Sequence, residues 1–222
     1  MRVSTAPFAD EVAAELAPHL PADLRDPQRT AAELGRFCAL LRGANEHLNL
    51  TRITDARGMA LLHVVDALTL LPLLRDAHTL ADLGSGGGVP GIPLAIVRPD
   101  LRVTLLESRG RKAAALEAIV KELGLAGRVA VAPVRGEAWL ADHKVEVVVA
   151  RAVGRAPAVL ELLSPVRKGF QRLVLMKGPT VDAELAELNP RWLGALGFGL
   201  PRRVEATLPG GERRVLLQFT RR

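Results

Sequence analysis

The feature that most constrains the fold is residues 81–91, Ala-Asp-Leu-Gly-Ser-Gly-Gly-Gly-Val-Pro-Gly. An apolar run that ends in an acid is followed at once by a glycine-rich turn. This order is typical of a strand, a tight loop and the start of a helix. Glycine lets the backbone approach a ligand closely because it has no Cβ atom, and a helix N-terminus offers free N–H groups. The segment therefore predicts a cofactor that contains a nucleotide.

Two interpretations of this loop differ in the charge of the cofactor. The spacing Gly86-x-Gly88-x-x-Gly91 satisfies the dinucleotide pattern GxGxxG. The same loop, read from Asp82, resembles motif I of class I methyltransferases, which bind S-adenosylmethionine. Asp82 would repel a pyrophosphate but would attract an ammonium or a sulfonium, directly or through water. Asp82 therefore favours the methyl donor, and the alternative is that Asp82 only caps the loop by bonding its backbone.

A second acid, Glu107, ends the next apolar run. It lies about 20 residues beyond the loop, where an acid usually binds the ribose hydroxyls of a nucleotide. A basic helix start with Arg109, Arg111 and Lys112 follows it. This arrangement fits either cofactor, and it predicts that Glu107 binds ribose.

From residue 79 onward, strand and helix patterns alternate, which indicates a parallel sheet wound with helices. The expected strands are 79–83, 102–106, 129–132, 145–150, 172–177, 202–207 and 214–219. The expected helices are 91–97, 110–123, 136–141, 155–163 and 182–197. Residues 208–212, Leu-Pro-Gly-Gly-Glu, predict a hairpin turn between the last two strands. An antiparallel hairpin that ends a seven-stranded sheet is typical of class I methyltransferases, and standard dinucleotide folds lack it.

The first part of the chain is predicted to be helical. Apolar residues recur at helical spacing in two stretches, with the polar connector 45–51 between them. These residues are Leu34, Phe37, Cys38 and Leu41 in the first stretch, and Leu61, Leu62, Val65, Leu68 and Leu71 in the second. The predicted fold is thus an α/β, Rossmann-like class I methyltransferase domain at 76–222 with an N-terminal helical extension at 1–75.

Composition restricts the partners and the compartment. The 222 residues are 49% hydrophobic, and the net charge is +6 because 30 basic residues, mostly Arg, outnumber 24 acids. The charge moderately supports a nucleic-acid partner, whereas 5 Phe, 2 Trp and no Tyr argue against binding by base stacking. The single Cys38 excludes an internal disulfide and a cysteine-rich metal site. We expect a cytoplasmic monomer with no metal, no membrane span and no signal peptide.

The end of the fourth strand indicates the reaction. Amino-group methylases of DNA carry an Asn/Asp-Pro-Pro-aromatic motif there, but this chain has Ala-Arg-Ala at 150–152. Methylation of pyrimidine C5 needs a nucleophilic cysteine, and Cys38 lies on an apolar helix face far from the sheet. What remains is a nucleophile such as guanine N7, which has a lone pair and no proton and needs alignment more than acid–base help. Arg151 would anchor the cofactor carboxylate or a substrate phosphate.

Three further places carry candidate functional residues. Gly136 and Glu137 follow the third strand, where they would bind the adenine edge or simply start a helix. Lys177 ends the fifth strand and would hold an RNA phosphate or the guanine carbonyl, unless it is only a solvated lysine. His63 and Asp66 share one helix face, so they are expected to pair with each other and to shape the mouth of the cofactor site.

Taken in order, these motifs resemble the bacterial GidB/RsmG family of small-subunit ribosomal RNA methyltransferases, from about residue 40 to the C-terminus. The residues that carry the resemblance are Leu48-Asn49-Leu50-Thr51, His63-x-x-Asp66, Asp82-x-Gly84-x-Gly86-x-Gly88-Val89-Pro90-Gly91-Ile92-Pro93, Glu107-Ser108-x-x-Arg111-Lys112, Arg135-Gly136-Glu137, Ala150-Arg151-Ala152 and Lys177-Gly178. The resemblance implies methyl transfer from S-adenosylmethionine to N7 of one guanine in the 530 loop of 16S rRNA, free or in the small ribosomal subunit.

The loop and the resemblance together predict the site residues. The expected cofactor-binding residues are Asp82, Gly84, Ser85, Gly86, Val89, Glu107, Ser108, Arg109, Gly136, Glu137, Ala138 and Arg151. The expected RNA-binding residues are Asn49, His63, Asp66, Arg111, Lys112, Arg155 and Lys177. No acid–base catalyst is expected, and Arg151 and Lys177 would position the reactants. The alternatives are a methyltransferase for another RNA or a small molecule, a dinucleotide-dependent oxidoreductase, and a non-catalytic RNA-binding module.

Overall fold

A computed structural model describes residues 6–222, in which a seven-stranded sheet is covered by helices on both faces. The strands are β1 (Thr79–Leu83), β2 (Arg102–Leu106), β3 (Val129–Ala132), β4 (Val145–Arg151), β5 (Phe170–Lys177), β6 (Arg202–Thr207) and β7 (Arg213–Thr220). Every expected strand is present, with bounds that differ by at most two residues, at Phe170. Residues 1–5 of the predicted helical extension lie outside the described residues.

The strand order is β3-β2-β1-β4-β5-β7-β6. The first five strands in this order are parallel, β7 runs antiparallel to β5, and β6 runs antiparallel to β7. The predicted hairpin is confirmed, since Leu208 N donates to Glu212 O at 2.9 Å across the turn. The chain order reverses between β1 and β4, and ligands of such sheets bind beyond the carboxyl ends of the strands at this point. The fold therefore places the glycine loop, which follows β1, at the expected crevice.

The helices occupy both faces of the sheet. They are α1 (Ala6–Leu16), α2 (Pro27–Leu48), α3 (Ala56–Met59), α4 (Asp66–Leu68), α5 (Gly91–Val97), α6 (Gly110–Glu122), α7 (Gly136–Asp142), α8 (Ala156–Leu163), α9 (Val181–Leu185) and α10 (Pro190–Leu196). A π-helical turn, Ala60–Val65, joins α3 to α4. The central parallel strands β1, β4 and β5 are largely buried on both faces, which is why they form near-continuous apolar runs in the sequence.

Alternate residues of β4 point to two separate apolar clusters. Val147 and Val149 pack in the cluster that also contains Phe37 and Leu41 of α2. Val148 packs in the other cluster, together with Leu160 of α8. The N-terminal helices therefore share a core with the sheet, and the division of the chain at residues 75 and 76 stays a prediction.

Two local expectations were wrong. Residues 45–48 are the last turn of α2 rather than a connector, and the helix ends at Asn49 in the left-handed conformation (φ 49°). The expected helix 182–197 is two helices. The first, α9, ends at Leu185, and α10 begins at Pro190, a residue favoured at the first helical position, where the Asn189 side chain caps the helix by accepting from Trp192 N at 2.8 Å. The C-terminal ends of β1 and β4 are unaffected by either difference.

The segment 56–73 differs from expectation in its buried face, and its hydropathy is high. Its π-helical turn shifts the helical register, so that His63 and Asp66 are buried while Leu62 and Val65 are only partly buried. The 18 residues Ala56–Leu73 have a mean hydropathy of 1.4, so by length and composition alone this segment could cross a membrane. Because 61% of this segment is buried inside the fold, the measure is weak evidence for a membrane span, and a core helix explains it equally well.

Candidate functional site

The glycine loop is held by hydrogen bonds from the neighbouring strand. The backbone N–H groups of Gly84 and Ser85 donate to Leu106 O at 2.9 and 3.1 Å, and Ser85 Oγ donates to Asp82 O at 2.8 Å. Gly88 has φ 80°, and a Cβ atom there would lie 2.6 Å from Ile92 Cδ1. Glycine is therefore favoured at this position chiefly by its positive φ, which residues with a Cβ atom rarely adopt.

Asp82 is buried beneath the loop rather than open to solvent. It is 1% exposed, and its Oδ2 accepts from Gly91 N, the first residue of α5, at 2.9 Å. The pKa of Asp82 is raised to about 7, chiefly by burial and also by the Glu107 charge, while the Gly91 hydrogen bond and the Arg151 charge oppose the rise. The structure shows the loop-capping arrangement that the sequence left as an alternative, and a contact of Asp82 with the cofactor stays a prediction.

Glu107 links the end of β2 to the same loop. Its Oε2 accepts from Gly86 N at 3.1 Å, and its Oε1 accepts from Arg109 N at 2.8 Å. The residue is 7% exposed, so a carboxylate is held at the strand end with its orientation fixed by two backbone amides. This geometry suits a rigid acceptor for ligand hydroxyl groups.

A first cavity of about 140 Å³ lies against Glu107. Its lining residues are Leu83, Gly84, Leu106, Glu107, Ser108, Val134, Arg135, Gly136, Glu137, Val153 and Leu162. Val134, Val153 and Leu162 leave 39%, 37% and 39% of their surface exposed here, which is unusual for large apolar side chains in this protein. Such apolar walls beside a fixed carboxylate suit a flat ring attached to a sugar. Sequence reasoning missed these three side chains, because exposure is not visible in a sequence pattern.

A second cavity of about 200 Å³ adjoins the first, and Gly84 lines both. Its lining residues are Leu41, Leu50, Thr51, His63, Gly84, Ser85, Gly86, Gly87, Val89, Arg151 and Ala152. The expected cofactor residues Gly84, Ser85, Gly86, Val89 and Arg151 meet here. Leu41 of α2 and the loop after it form the outer wall, so the N-terminal helices complete the cavity. The two cavities together can hold one elongated ligand across the end of β1.

A third cavity of about 500 Å³ lies beyond Arg151. Its lining residues are Arg52, Ile53, Leu62, His63, Asp66, Arg151, Ala152, Met176, Lys177, Gly178 and Arg214. His63, Arg151 and Ala152 line both the second and the third cavity. Because the two cavities share these lining residues, a ligand in the second cavity would lie next to a molecule in the third.

Arg151, the central residue of this wall, is fixed by the helical segment 56–68. Its Nη1 donates to Leu62 O at 2.9 Å and to Asp66 Oδ2 at 3.2 Å, and its Nη2 lies 3.3 Å from His63 Nδ1. The prediction that His63 and Asp66 pair with each other is wrong. Among the described residues, each of the two side chains contacts Arg151 instead. Burial, together with the Arg151 charge, lowers the pKa of His63 to about 4, so this imidazole is neutral at physiological pH.

Comparison with known proteins identifies the family. The family model described as GidB, rRNA small subunit methyltransferase G, matches residues 30–195. The chain belongs to this family. The ribosomal RNA small subunit methyltransferase G of Solibacter usitatus (strain Ellin6076) is 41% identical over 175 residues, which cover 79% of this chain and 83% of that protein. Its counterpart from Sorangium cellulosum (strain So ce56) is 44% identical over 164 residues, which cover 71% and 68%.

Solved structures with little sequence identity confirm the Rossmann-like methyltransferase fold. The N-terminal domain of human METTL16 in complex with SAH has a TM-score of 0.61 at 14% identity and covers 99% of this chain and 94% of that chain. M. capricolum TrmK in complex with S-adenosyl-homocysteine has a TM-score of 0.56 at 12% identity, with 70% and 67% covered. Membership of the rRNA small subunit methyltransferase G family confirms the methyltransferase prediction with S-adenosylmethionine as cofactor, and it overturns the oxidoreductase alternative.

In this member of the rRNA small subunit methyltransferase G family, the remaining predicted cofactor residues lie at the edge of the first cavity. Ser108, Gly136 and Glu137 line it, whereas Arg109 caps α6 and Ala138 lies within α7. A Cβ atom at Gly136 would collide with Leu83, so this glycine also has a packing role.

The predicted RNA-binding residues fall into separate groups. Lys112 Nζ donates to Asn49 O at 3.3 Å, which joins the start of α6 to the end of α2, and exposed Arg111 is adjacent in sequence. Arg155 pairs with Glu187 at the surface. Lys177 donates to Glu184 Oε2 at 2.8 Å and to Gly154 O at 2.6 Å.

These pairings bear on which groups are free to bind RNA. The Lys177 side chain is only 11% exposed, and Asp66 is buried with both carboxylate oxygens bound by arginines. The RNA contacts of all these residues stay predictions. Arg214, which binds Asp66, was missed, because the pairing depends on how β7 sits in the sheet.

Proposed function

We propose that this protein transfers a methyl group from S-adenosylmethionine to N7 of a guanine in the 530 loop of 16S rRNA, in the small ribosomal subunit or its precursor. Family membership supports the RNA class, and the observation that carries the proposal is the series of three adjoining cavities. Gly84 joins the first cavity to the second, and Arg151 separates the second from the third.

The residues of the first two cavities fit the proposed cofactor. Apolar Val134, Val153 and Leu162 would enclose the adenine ring, and Glu107 would accept hydrogen bonds from the ribose hydroxyls. The second cavity would hold the methionine end between the glycine loop and Arg151. When bound, S-adenosylmethionine supplies an activated methyl group on a sulfonium.

The third cavity fits a nucleophile that needs no deprotonation. His63 is a poor proton acceptor, because its pKa is lowered to about 4 and its Nε2 lies 2.8 Å from Thr51 Oγ, while Asp66 and Lys177 are held in ion pairs. Guanine N7 carries a lone pair and no proton, so the enzyme must chiefly align it with the methyl carbon and the sulfur. The rigid wall formed by Arg151 and Ala152 suits that task, since Ala152 is fixed in a left-handed conformation (φ 58°).

The test is methyl transfer from labelled S-adenosylmethionine to small ribosomal subunits that lack native base methylation. The label would be mapped by reduction and strand cleavage at N7-methylguanine. A single labelled guanine in the 530 loop is the expected result. Transfer to another RNA or to a small molecule, with none to subunits or free 16S rRNA, would overturn the proposed substrate. A monomeric state and a cytoplasmic location stay predictions.

A further inference from the structure

Four basic side chains line the third cavity, and three of them are ion-paired with acids of the protein itself. Arg151 and Arg214 share Asp66, at 3.2 and 2.9 Å. Lys177 pairs with Glu184 at 2.8 Å. Arg52 is different, because within residues 6–222 its side chain has neither an ion-pair partner nor a hydrogen bond, and it is exposed. Of the four, Arg52 is therefore the group best able to bind an external anion.

The loop that carries Arg52 is ordered by the residues on either side. Thr51 N donates to Asn45 Oδ1 at 2.8 Å, which ties the loop to the last turn of α2. Thr51 Oγ accepts from Ile53 N at 3.0 Å and lies 2.8 Å from His63 Nε2. The backbone of Arg52 is thus held between two anchored neighbours, and only its side chain remains free to reach across the cavity.

The walls of the cavity suit a nucleotide rather than a small anion. Ile53, Leu62 and Met176 provide apolar surface, and a volume of about 500 Å³ lies within the range usual for ligand sites. A nucleotide has an apolar ring face and a phosphate, and arginine binds phosphate with two N–H groups at once. The free guanidinium and the apolar wall therefore match the two ends of one nucleotide.

We propose that Arg52 binds a backbone phosphate of the RNA next to the target base. This inference rests on the proposed function. It assigns the phosphate contact to a residue that the sequence motifs did not indicate, in place of Lys177 and Arg155, whose charges are neutralised by Glu184 and Glu187.

The experiment compares Arg52→Ala, Arg52→Lys and Arg75→Ala in methyl transfer to small ribosomal subunits lacking base methylation. Arg75 is a matched control, since it is exposed, has no ion-pair partner within residues 6–222, and lines a separate groove with Pro72 and Arg98. For Arg52→Ala, the KM for subunits should rise roughly tenfold with kcat little changed, as for one lost charged hydrogen bond.

Two further readouts separate phosphate binding from a structural role. The slope of log affinity for 16S rRNA against log salt should fall by about one in Arg52→Ala, and Arg52→Lys should restore part of the affinity. The affinity for S-adenosylmethionine, measured by calorimetry, should be the same in all variants.

The outcomes distinguish this inference from the function on which it rests. If wild-type protein methylates subunits but Arg52→Ala behaves like Arg75→Ala, the inference is wrong and the proposed function stands. A fall in kcat or in cofactor affinity without a change in KM for RNA would also overturn it. If wild-type protein methylates neither subunits nor 16S rRNA, the proposed function fails and this inference fails with it.

Discussion

Asp66 and Arg214 lie 148 residues apart in the chain, yet Arg214 Nε donates to Asp66 Oδ1 at 2.9 Å. The other oxygen of Asp66 accepts from Arg151. One buried carboxylate thereby holds two arginines, one from the end of β4 and one from β7, against the helical segment 56–68. The cluster has two positive charges and one negative charge, so it keeps a net positive charge at the rim of the third cavity, where RNA is proposed to bind.

Removing Arg214 should destabilise the protein measurably. In Arg214→Ala, the Asp66 side chain, which is only 5% exposed, loses one of its two arginine partners. We expect the free energy of unfolding in urea to fall by about 1–3 kcal/mol, as for a buried polar group left partly unsatisfied. The neighbouring Arg213→Ala is the control, because Arg213 is 58% exposed and its pair with Glu205 is at the surface, where a pair is worth about 0–1 kcal/mol. Equal losses in both variants would contradict the anchoring role.

Leu162→Ser should weaken cofactor binding through the apolar wall of the first cavity. Leu162 leaves 39% of its surface exposed in the first cavity, and the adenine ring would cover that surface on binding. Replacing the leucine by serine should therefore cost about 1 kcal/mol of binding free energy. Calorimetry with S-adenosylmethionine provides the measurement. Leu200→Ser is a matched control, since Leu200 is 62% exposed and does not line the cavity. The same affinity in both variants would remove Leu162 from the cofactor site.

Local sequence signals predicted the strands and the glycine loop, because each depends on neighbouring residues. The buried parallel strands are short apolar runs bounded by polar or glycine residues, and β1, β2, β3 and β6 have the predicted bounds. Pro190 is a local signal for the start of α10, but the prediction of one helix over 182–197 did not use it. The π-helical turn Ala60–Val65 was not visible in the sequence, since one extra residue in a turn leaves the average apolar spacing almost unchanged.

The third cavity could not be predicted, because its walls come from distant parts of the chain. Strand β7 lies between β5 and β6, and this placement brings Arg214 to Asp66. The sequence showed that Lys177 ends β5, but nothing local indicated that Glu184 would neutralise it. Ion pairing decides which basic residues are free, and it depends on the tertiary packing.

Glu107→Ala should weaken S-adenosylmethionine binding by about 1.5–3 kcal/mol, the usual value for a lost charged hydrogen bond. Both oxygens of Glu107 also accept from backbone N–H groups, so the alanine variant loosens the loop as well. Glu107→Gln keeps one acceptor and the shape of the side chain, and it should lose less affinity. Glu117→Ala, at an exposed position of α6, serves as the control. Unchanged affinity in Glu107→Ala by calorimetry would exclude the ribose role.

Asp82→Asn should change how stability depends on pH. The wild-type carboxyl has a pKa of about 7 when folded and about 3.9 when unfolded. Between these values the folded protein keeps a proton that the unfolded chain has released, so the Asp82 contribution to stability falls as pH rises. Asparagine can still accept from Gly91 N but does not titrate. As the pH rises between these two values, the variant should therefore gain stability relative to wild type by up to about 1.4 kcal/mol per pH unit.

This relative gain should level off above about pH 7, where Asp82 is ionised in both states. Urea unfolding of the two proteins at several pH values measures it. His63, whose pKa is lowered to about 4, contributes the opposite slope, since the unfolded chain binds a proton there that the folded protein does not. Because His63 is present in both proteins, its contribution cancels in the difference. Parallel stability profiles would show that the folded Asp82 keeps an ordinary carboxyl pKa, and that burial beneath the glycine loop does not hold its proton.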